Sequence, residues 1–256
     1  MTIKKDDITV AIATYNERYK NAFRLAKSFV KLGFKVVIIH QTTDDFLMKD
    51  LTLDKDLDYQ HLSTIGVTNS RNKAIDYCKS KYLWFMDDDI SILDELNNIC
   101  DINFSSLAGV TLRVTDETGN LRKRYPDAGK IITRRDSLSV GTIELIVDVE
   151  FIKLHGIYFP VEMGAGSLLP VGDEAVFLSR IICNGGMIRH VDLSPISHPK
   201  ESSGTQDNKL TIISKGYMLK KVYGFKGIFP LIYLIFKLKG GSKSEISFWL
   251  LKGFLK

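Results

Sequence analysis

The segment Tyr82-Leu83-Trp84-Phe85-Met86-Asp87-Asp88-Asp89-Ile90 decides how this chain is read. The apolar run from Tyr82 to Met86 is short and uninterrupted, which predicts a buried strand. Three carboxylates close it. Like charges at a strand tip repel one another, and a hydrophobic core has no use for them there. A divalent cation removes the conflict, because hard cations take carboxylate oxygens. The carboxyl end of a strand is also where open α/β sheets bind ligands. The plainer alternative is a solvated Asp-rich turn.

Working outward, Ile8 to Ala13 predicts a first strand, Glu17 to Leu32 a helix stopped at Gly33, and Lys35 to His40 a second buried strand. A polar, Asp-rich stretch follows, then a short strand near Tyr59 to Leu62. Val67 to Lys79 predicts a helix leading into the strand that ends at Asp87. Such alternation with near-continuous apolar strands implies a parallel sheet covered on both faces. After Asp89 the rhythm changes. Leu107 to Val114, Gly141 to Val149 and Ile188 to Leu193 look like strands. Helices are expected around Glu150 to His155 and from Glu174 to Cys183, with a Gly-rich loop, Met163-Gly164-Ala165-Gly166-Ser167, between them.

With 256 residues, 45% hydrophobic and 25% charged, the chain can bury a full core as one large domain or two small lobes. Its three cysteines, Cys78, Cys100 and Cys183, are far apart, which fits a reducing compartment. Neither an apolar secretory core nor a run long enough to span a bilayer is visible. Charge is unevenly placed. Residues 215 to 256 hold nine lysines against Glu245 alone, so a tail of +8 within a total of +5 leaves the rest at −3.

Five features stand in chain order: Thr14-Tyr15-Asn16-Glu17-Arg18 after the first strand, Gly66-Val67-Thr68-Asn69-Ser70-Arg71-Asn72, the Asp triplet, Gly172-Asp173-Glu174, and His198 before Pro199-Lys200-Glu201-Ser202-Ser203-Gly204. The set resembles the family 2 glycosyltransferases over roughly residues 8 to 204. The resemblance implies a GT-A-like α/β fold, with a mixed, mostly parallel central sheet, helices on both faces and a C-terminal helical tail. It divides the chain into a glycosyltransferase domain, 1–204, and a basic, apolar tail, 205–256. Within the domain, 1–100 would bind the nucleotide sugar and 101–204 the acceptor. It also implies a metal-dependent inverting transfer of a hexose from a nucleotide sugar, by default a UDP-hexose, to a glycan or lipid-linked acceptor in surface-polysaccharide synthesis.

By the same resemblance Thr14, Tyr15, Asn16, Glu17 and Arg71 contact the nucleotide or its diphosphate, together with Asp87 and Asp88. Aspartates two apart in an extended segment project to one side, so Asp87 and Asp89 can share a ligand. Asp89, with Asp87 and His198, would hold Mg²⁺ or Mn²⁺. Glu174 or Asp173 would be the base, Asp173 also an acceptor ligand, and Gly164 and Gly166 would let backbone approach the acceptor. Lys200, Ser202 and Ser203 could close as a lid. Each has a plainer reading: Asn16 or Asp173 as a helix cap, Arg71 as an exposed helical arginine, His198 as an ordinary polar residue. The chain departs from the family after the second strand, where His40-Gln41 replaces the usual Asp pair and Asp44-Asp45 come later. That leaves the base identity open.

The tail, 217–256, mixes lysines with aromatic and aliphatic clusters. This suits an amphipathic segment on an anionic membrane surface, at the inner face of the cell membrane. A helical pair packed on the domain is the alternative. Nothing points to nucleic acid, since the tail lacks arginine and a binding module. Two rivals are a metal-dependent nucleotidyltransferase, for which no Gly-rich triphosphate loop is visible, and a silent nucleotide-sugar-binding scaffold on the membrane.

Overall fold

The computed structural model describes residues 3–42, 55–200, 208–237 and 243–256. Asp44, Asp45, Ser202 and Ser203 lie outside the described residues. The first half holds β1 (Ile8–Tyr15), α1 (Tyr19–Lys31), β2 (Lys35–Gln41), β3 (Leu57–Leu62), α2 (Val67–Tyr77) and β4 (Tyr82–Asp87). Next come β5 (Ser91–Ile92), β6 (Gly109–Thr111), β7 (Val114–Thr115), β8 (Leu145–Asp148), α3 (Val149–Leu154), α4 (Asp173–Cys183), β9 (Ile188–His190) and β10 (Ile196–Ser197). Helices α5 (Lys209–Tyr223), α6 (Ile228–Lys237) and α7 (Lys243–Leu255) end the chain.

The main sheet has seven strands in the order β3-β2-β1-β4-β8-β6-β9. Strands β1 to β4 run parallel, β8 is antiparallel to both β4 and β6, and β9 is parallel to β6. Strands β1, β2 and β4 read as apolar runs because both faces are buried. Val10, Ile12, Val36, Ile38, Trp84 and Met86 belong to the core on the α1 side. Their neighbours Ala11, Val37, Ile39, Leu83 and Phe85 belong to the core with α2, α3 and α4. Trp84 is fully buried, and its indole N–H donates to the Ile143 carbonyl at 2.8 Å.

The second half corrects the sequence expectations in detail. The strand expected over Leu107 to Val114 narrows to β6, because Val114 and Thr115 leave to pair with β10 in a separate three-stranded sheet, β5-β10-β7. Gly141 to Val149 begins in a 3₁₀ turn at Thr142–Glu144, where the buried Glu144 carboxylate binds Lys123. Helix α1 starts two residues later than expected, after a 3₁₀ turn at Asn16–Arg18 that Asn16 enters with φ 47°.

Helices α5 and α7 cross at two glycines. A Cβ on Gly216 would stand 2.0 Å from the Leu250 carbonyl oxygen, and one on Gly253 the same distance from that of Ile213. The close crossing lets Ile213 and Val222 pack on Met163, Leu169, Ala175 and Val176, which ties α5 to the Gly-rich loop and to α4. Among the described residues, no helix is long and apolar enough to cross a membrane.

Candidate active site

The acidic tip of β4 lies where the parallel strands end together. Pairing of Ala13 with Asp87 brings Thr14 beside Asp88, and the Thr14 hydroxyl donates to the Asp88 carboxylate at 2.5 Å. Arg18, from the 3₁₀ turn after β1, bonds both Asp88 and Asp89, the latter at 3.0 Å. The Asp88 side chain is 3% exposed and that of Asp89 38%, so the triplet is divided. Asp88 points inward and braces the loop, while Asp87 and Asp89 face open space.

The small sheet delivers the third donor. Ser197 pairs with Ser91, which sets His198 beside the triplet. Its Nδ1–H donates to the Pro199 carbonyl at 2.8 Å, turning Nε2 toward the carboxylates. Nε2 lies 3.2 Å from Asp89 Oδ1 and 3.8 Å from Asp87 Oδ2. The bond to His198 holds the Asp89 carboxyl below its usual range and raises the imidazole. One donor atom from each of Asp87, Asp89 and His198 lies within 4.8 Å of the others. Two carboxylate oxygens and one imidazole nitrogen fit Mg²⁺ or Mn²⁺.

Across a cleft of about 650 Å³, lined by Thr14, Tyr15, Arg18, Arg71, Gly166 and the triplet, lies a buried ion pair. Arg71 of α2 donates to the Asp173 carboxylate at the start of α4 and stands 3.6 Å from Glu174 Oε1. Burial and the neighbouring Glu174 charge push Asp173 up to about 7, against the pull of Arg71. The Asp173 side chain is 3% exposed and that of Glu174 26%. The Thr142 hydroxyl fixes Glu174 by donating to Oε1 at 2.9 Å.

The Gly-rich loop docks on the start of α2. Val67 N–H donates to the Ala165 carbonyl and the Thr68 hydroxyl to that of Met163. Gly66 takes φ 109°, and a Cβ there would meet Ser167 Oγ at 2.7 Å. Gly164 faces Thr68, Val67 and Asp173, while Ala165 and Gly166 line the cleft.

His40 and Gln41 hold the cleft's loops. His40 Nε2 donates to the Asn16 carbonyl at 2.8 Å, so its Nδ1 accepts from the Tyr59 hydroxyl. The Gln41 amide donates to the carbonyls of Thr64 and Gly66. Burial lowers the His40 pKa. An unfolded imidazole titrates near ~6.5, so below that pH the unfolded chain takes a proton that the folded chain refuses. The stability contributed by His40 is therefore present above that range and lost as pH falls. The urea midpoint should drop more between about pH 7.5 and 5.5 in the wild type than in His40→Gln. Equal drops would mean that His40 is not held neutral.

Residues 9–144 match the profile of Glycosyl transferase family 2. The chain belongs to that family.

No curated protein sequence matches this chain. Solved structures do. The S. aureus protein TarS, residues 1–349, is 18% identical with a TM-score of 0.60, over 96% of this chain and 71% of that one. The same fragment in complex with UDP-GlcNAc gives 18% identity and 0.59, over 96% and 72%. A longer TarS structure gives 17% and 0.58, over 97% of this chain and 42% of that one. At these identities the likeness speaks for the GT-A fold, which agrees with the sheet order described above.

Within this family 2 glycosyltransferase, Thr14, Tyr15, Arg71, Asp87, Asp88, Asp89, Gly166 and His198 meet at one cleft. Asn16 and Glu17 are not part of its lining. The Asn16 side chain does not cap α1, and Glu17 is exposed. Lys200 is exposed, and its backbone N–H donates to Glu117. Two residues were missed in the sequence. Arg18 had a signal, since a lone cation in the loop beside three carboxylates balances their charge. Thr142 had none, because its reach to Glu174 depends on the 3₁₀ turn before β8.

Proposed function

We propose that this family 2 glycosyltransferase moves a hexose from a nucleotide sugar, a UDP-hexose, to an acceptor hydroxyl with inversion. The observation that carries the reading is the convergence on one cleft of Asp87, Asp89 and His198 with the cations Arg18 and Arg71, with Glu174 beside Arg71. Asp87, Asp89 and His198 would hold Mg²⁺ or Mn²⁺, which when bound supplies Lewis-acid stabilisation of the leaving diphosphate. Arg18 and Arg71 offer planar guanidinium donors to the same phosphates. Thr14 and Tyr15 take the nucleoside side. Uridine is supported by the TarS structures bound to UDP-GlcNAc and UDP.

Glu174 is the base. Its carboxylate is accessible and oriented by Thr142, whereas the Asp173 oxygens are enclosed with Arg71. The acceptor hydroxyl passes its proton to Glu174 as its oxygen bonds to the anomeric carbon. The bond to the diphosphate breaks on the opposite face, and its electron pair leaves with the nucleoside diphosphate. Asp173 positions Arg71, and the Gly164–Gly166 loop shapes the acceptor side.

Residues 1–100 and 101–204 act as donor and acceptor halves, and 205–256 as a tail that meets an anionic membrane surface at the inner face of the cell membrane. The tail's lysines and the exposed Phe225, Phe229 and Phe236 support this last reading. The acceptor is a glycan or lipid-linked intermediate of surface-polysaccharide assembly. A donor screen tests the proposal: the full chain with Mn²⁺ and single nucleotide sugars, followed by thermal shift and slow hydrolysis. One UDP-sugar should raise the Tm and be hydrolysed only with the divalent ion. Binding of none, or pyrophosphate release from a nucleoside triphosphate, would sink it.

A further inference from the structure

Glu174 stands between two concavities. On one side is Arg71 and the donor cleft; on the other a groove of about 940 Å³ lies between the start of α4 and helices α5 and α6. Met218, Phe229, Tyr233 and Leu234 form its apolar wall. Arg135 and Lys215 also line it, and among the described residues Glu174 is the single acidic one of that lining.

Helix α6 shapes this groove from an unusual position. Leu231 is 1% exposed and packs inward with Leu219, Leu250 and Phe254. Phe229 is 72% exposed, Tyr233 56% and Phe236 81%, at the spacing that puts them along one side of the helix. Phe229 and Tyr233 thus belong both to the exposed stripe and to the groove. The exposed stripe of α6 therefore shares a groove with the carboxylate proposed as the base.

A free glycan would need convergent polar groups and would leave this wall unused. An apolar chain carrying an anionic link satisfies all of it: hydrocarbon on Phe229, Tyr233 and Leu234, the anion at Arg135 and Lys215, and the hydroxyl at Glu174. We propose that the groove seats the apolar chain of a phosphate-linked lipid acceptor and directs its terminal hydroxyl to Glu174. The inference rests on Glu174 being the base, and it selects the lipid-linked acceptor over the free glycan.

The test uses the full chain and a farnesyl phosphate bearing a photoreactive benzophenone, with labelled peptides mapped by mass spectrometry. Label is expected on peptides containing Met218 and residues 229–234. Unlabelled farnesyl phosphate should compete at a concentration at least about tenfold below farnesol, and inorganic phosphate should not compete. Phe229→Glu and Arg135→Glu, both at exposed positions, should each cut labelling about tenfold or more. Phe236→Glu, outside the groove lining, should change it less than about twofold. Label elsewhere, equal competition by farnesol, or equal loss in Phe236→Glu would overturn the groove assignment. A thermal shift with UDP and Mn²⁺, run on every variant, separates the failures. Lost labelling with UDP binding intact sinks this inference alone, whereas no UDP response in the wild type sinks the donor reading beneath it.

Discussion

Asp89→Asn should lower divalent-dependent turnover by roughly 100-fold, equivalent to about 3 kcal/mol, and weaken Mn²⁺ binding in the absence of donor, if the proposed metal site is correct. The reason is geometric. Asp89 sits 3.2 Å from His198 Nε2, and with Asp87 these atoms lie within 4.8 Å of one another. An amide of the same shape keeps a hydrogen-bond acceptor for His198 but removes the charge that a hard cation requires. The neighbouring Asp88→Asn is the control. Its carboxylate is buried against Thr14 and Arg18, so its loss should cost about 1.5–3 kcal/mol of stability and leave Mn²⁺ affinity nearly unchanged. Electron paramagnetic resonance of free Mn²⁺, with thermal unfolding alongside, reads both. Equal effects on metal affinity would mean that the triplet acts as an undivided acidic patch.

The division within the triplet explains what was legible in the sequence. Apolar runs between helical patterns gave β1, β2 and β4 with small boundary errors, because strands buried on both faces have few polar positions to confuse the reading, whereas the edge strand β3 is polar and half-exposed and begins two residues earlier than expected. The order of motifs led to the family, and the cleft gathers most of the residues they named. The second half was harder. Its strands are two to four residues long and three of them form a separate sheet, so local periodicity carries little signal. The roles of His40 and Gln41 were hidden for a related reason. Their side chains bond backbone carbonyls of Asn16, Thr64 and Gly66, contacts that depend on how three loops fold together. Spacing cannot express such contacts. Nor could it foresee that Asp173 would be enclosed by Arg71, a partner 102 residues away.

That enclosure makes the second large effect separable into two roles. Glu174→Gln should retain UDP-sugar binding and the wild-type Tm but lose transfer by about 10²–10⁴-fold, the usual contribution of a general base. The amide keeps the acceptor for the Thr142 hydroxyl, so the side chain stays in place without the capacity to take a proton. Asp173→Asn should act differently. Removing its charge leaves the Arg71 guanidinium, 9% exposed, with its direct partner gone, and such a loss costs about 3–5 kcal/mol. Its activity loss should therefore come with a lower Tm and weaker donor binding, because Arg71 also lines the cleft. Steady-state kinetics paired with thermal unfolding distinguishes the two. An Asp173→Asn enzyme with normal stability and donor binding but no transfer would move the base from Glu174 to Asp173. The carboxyl at about 7 would then be the proton acceptor rather than the anchor of Arg71.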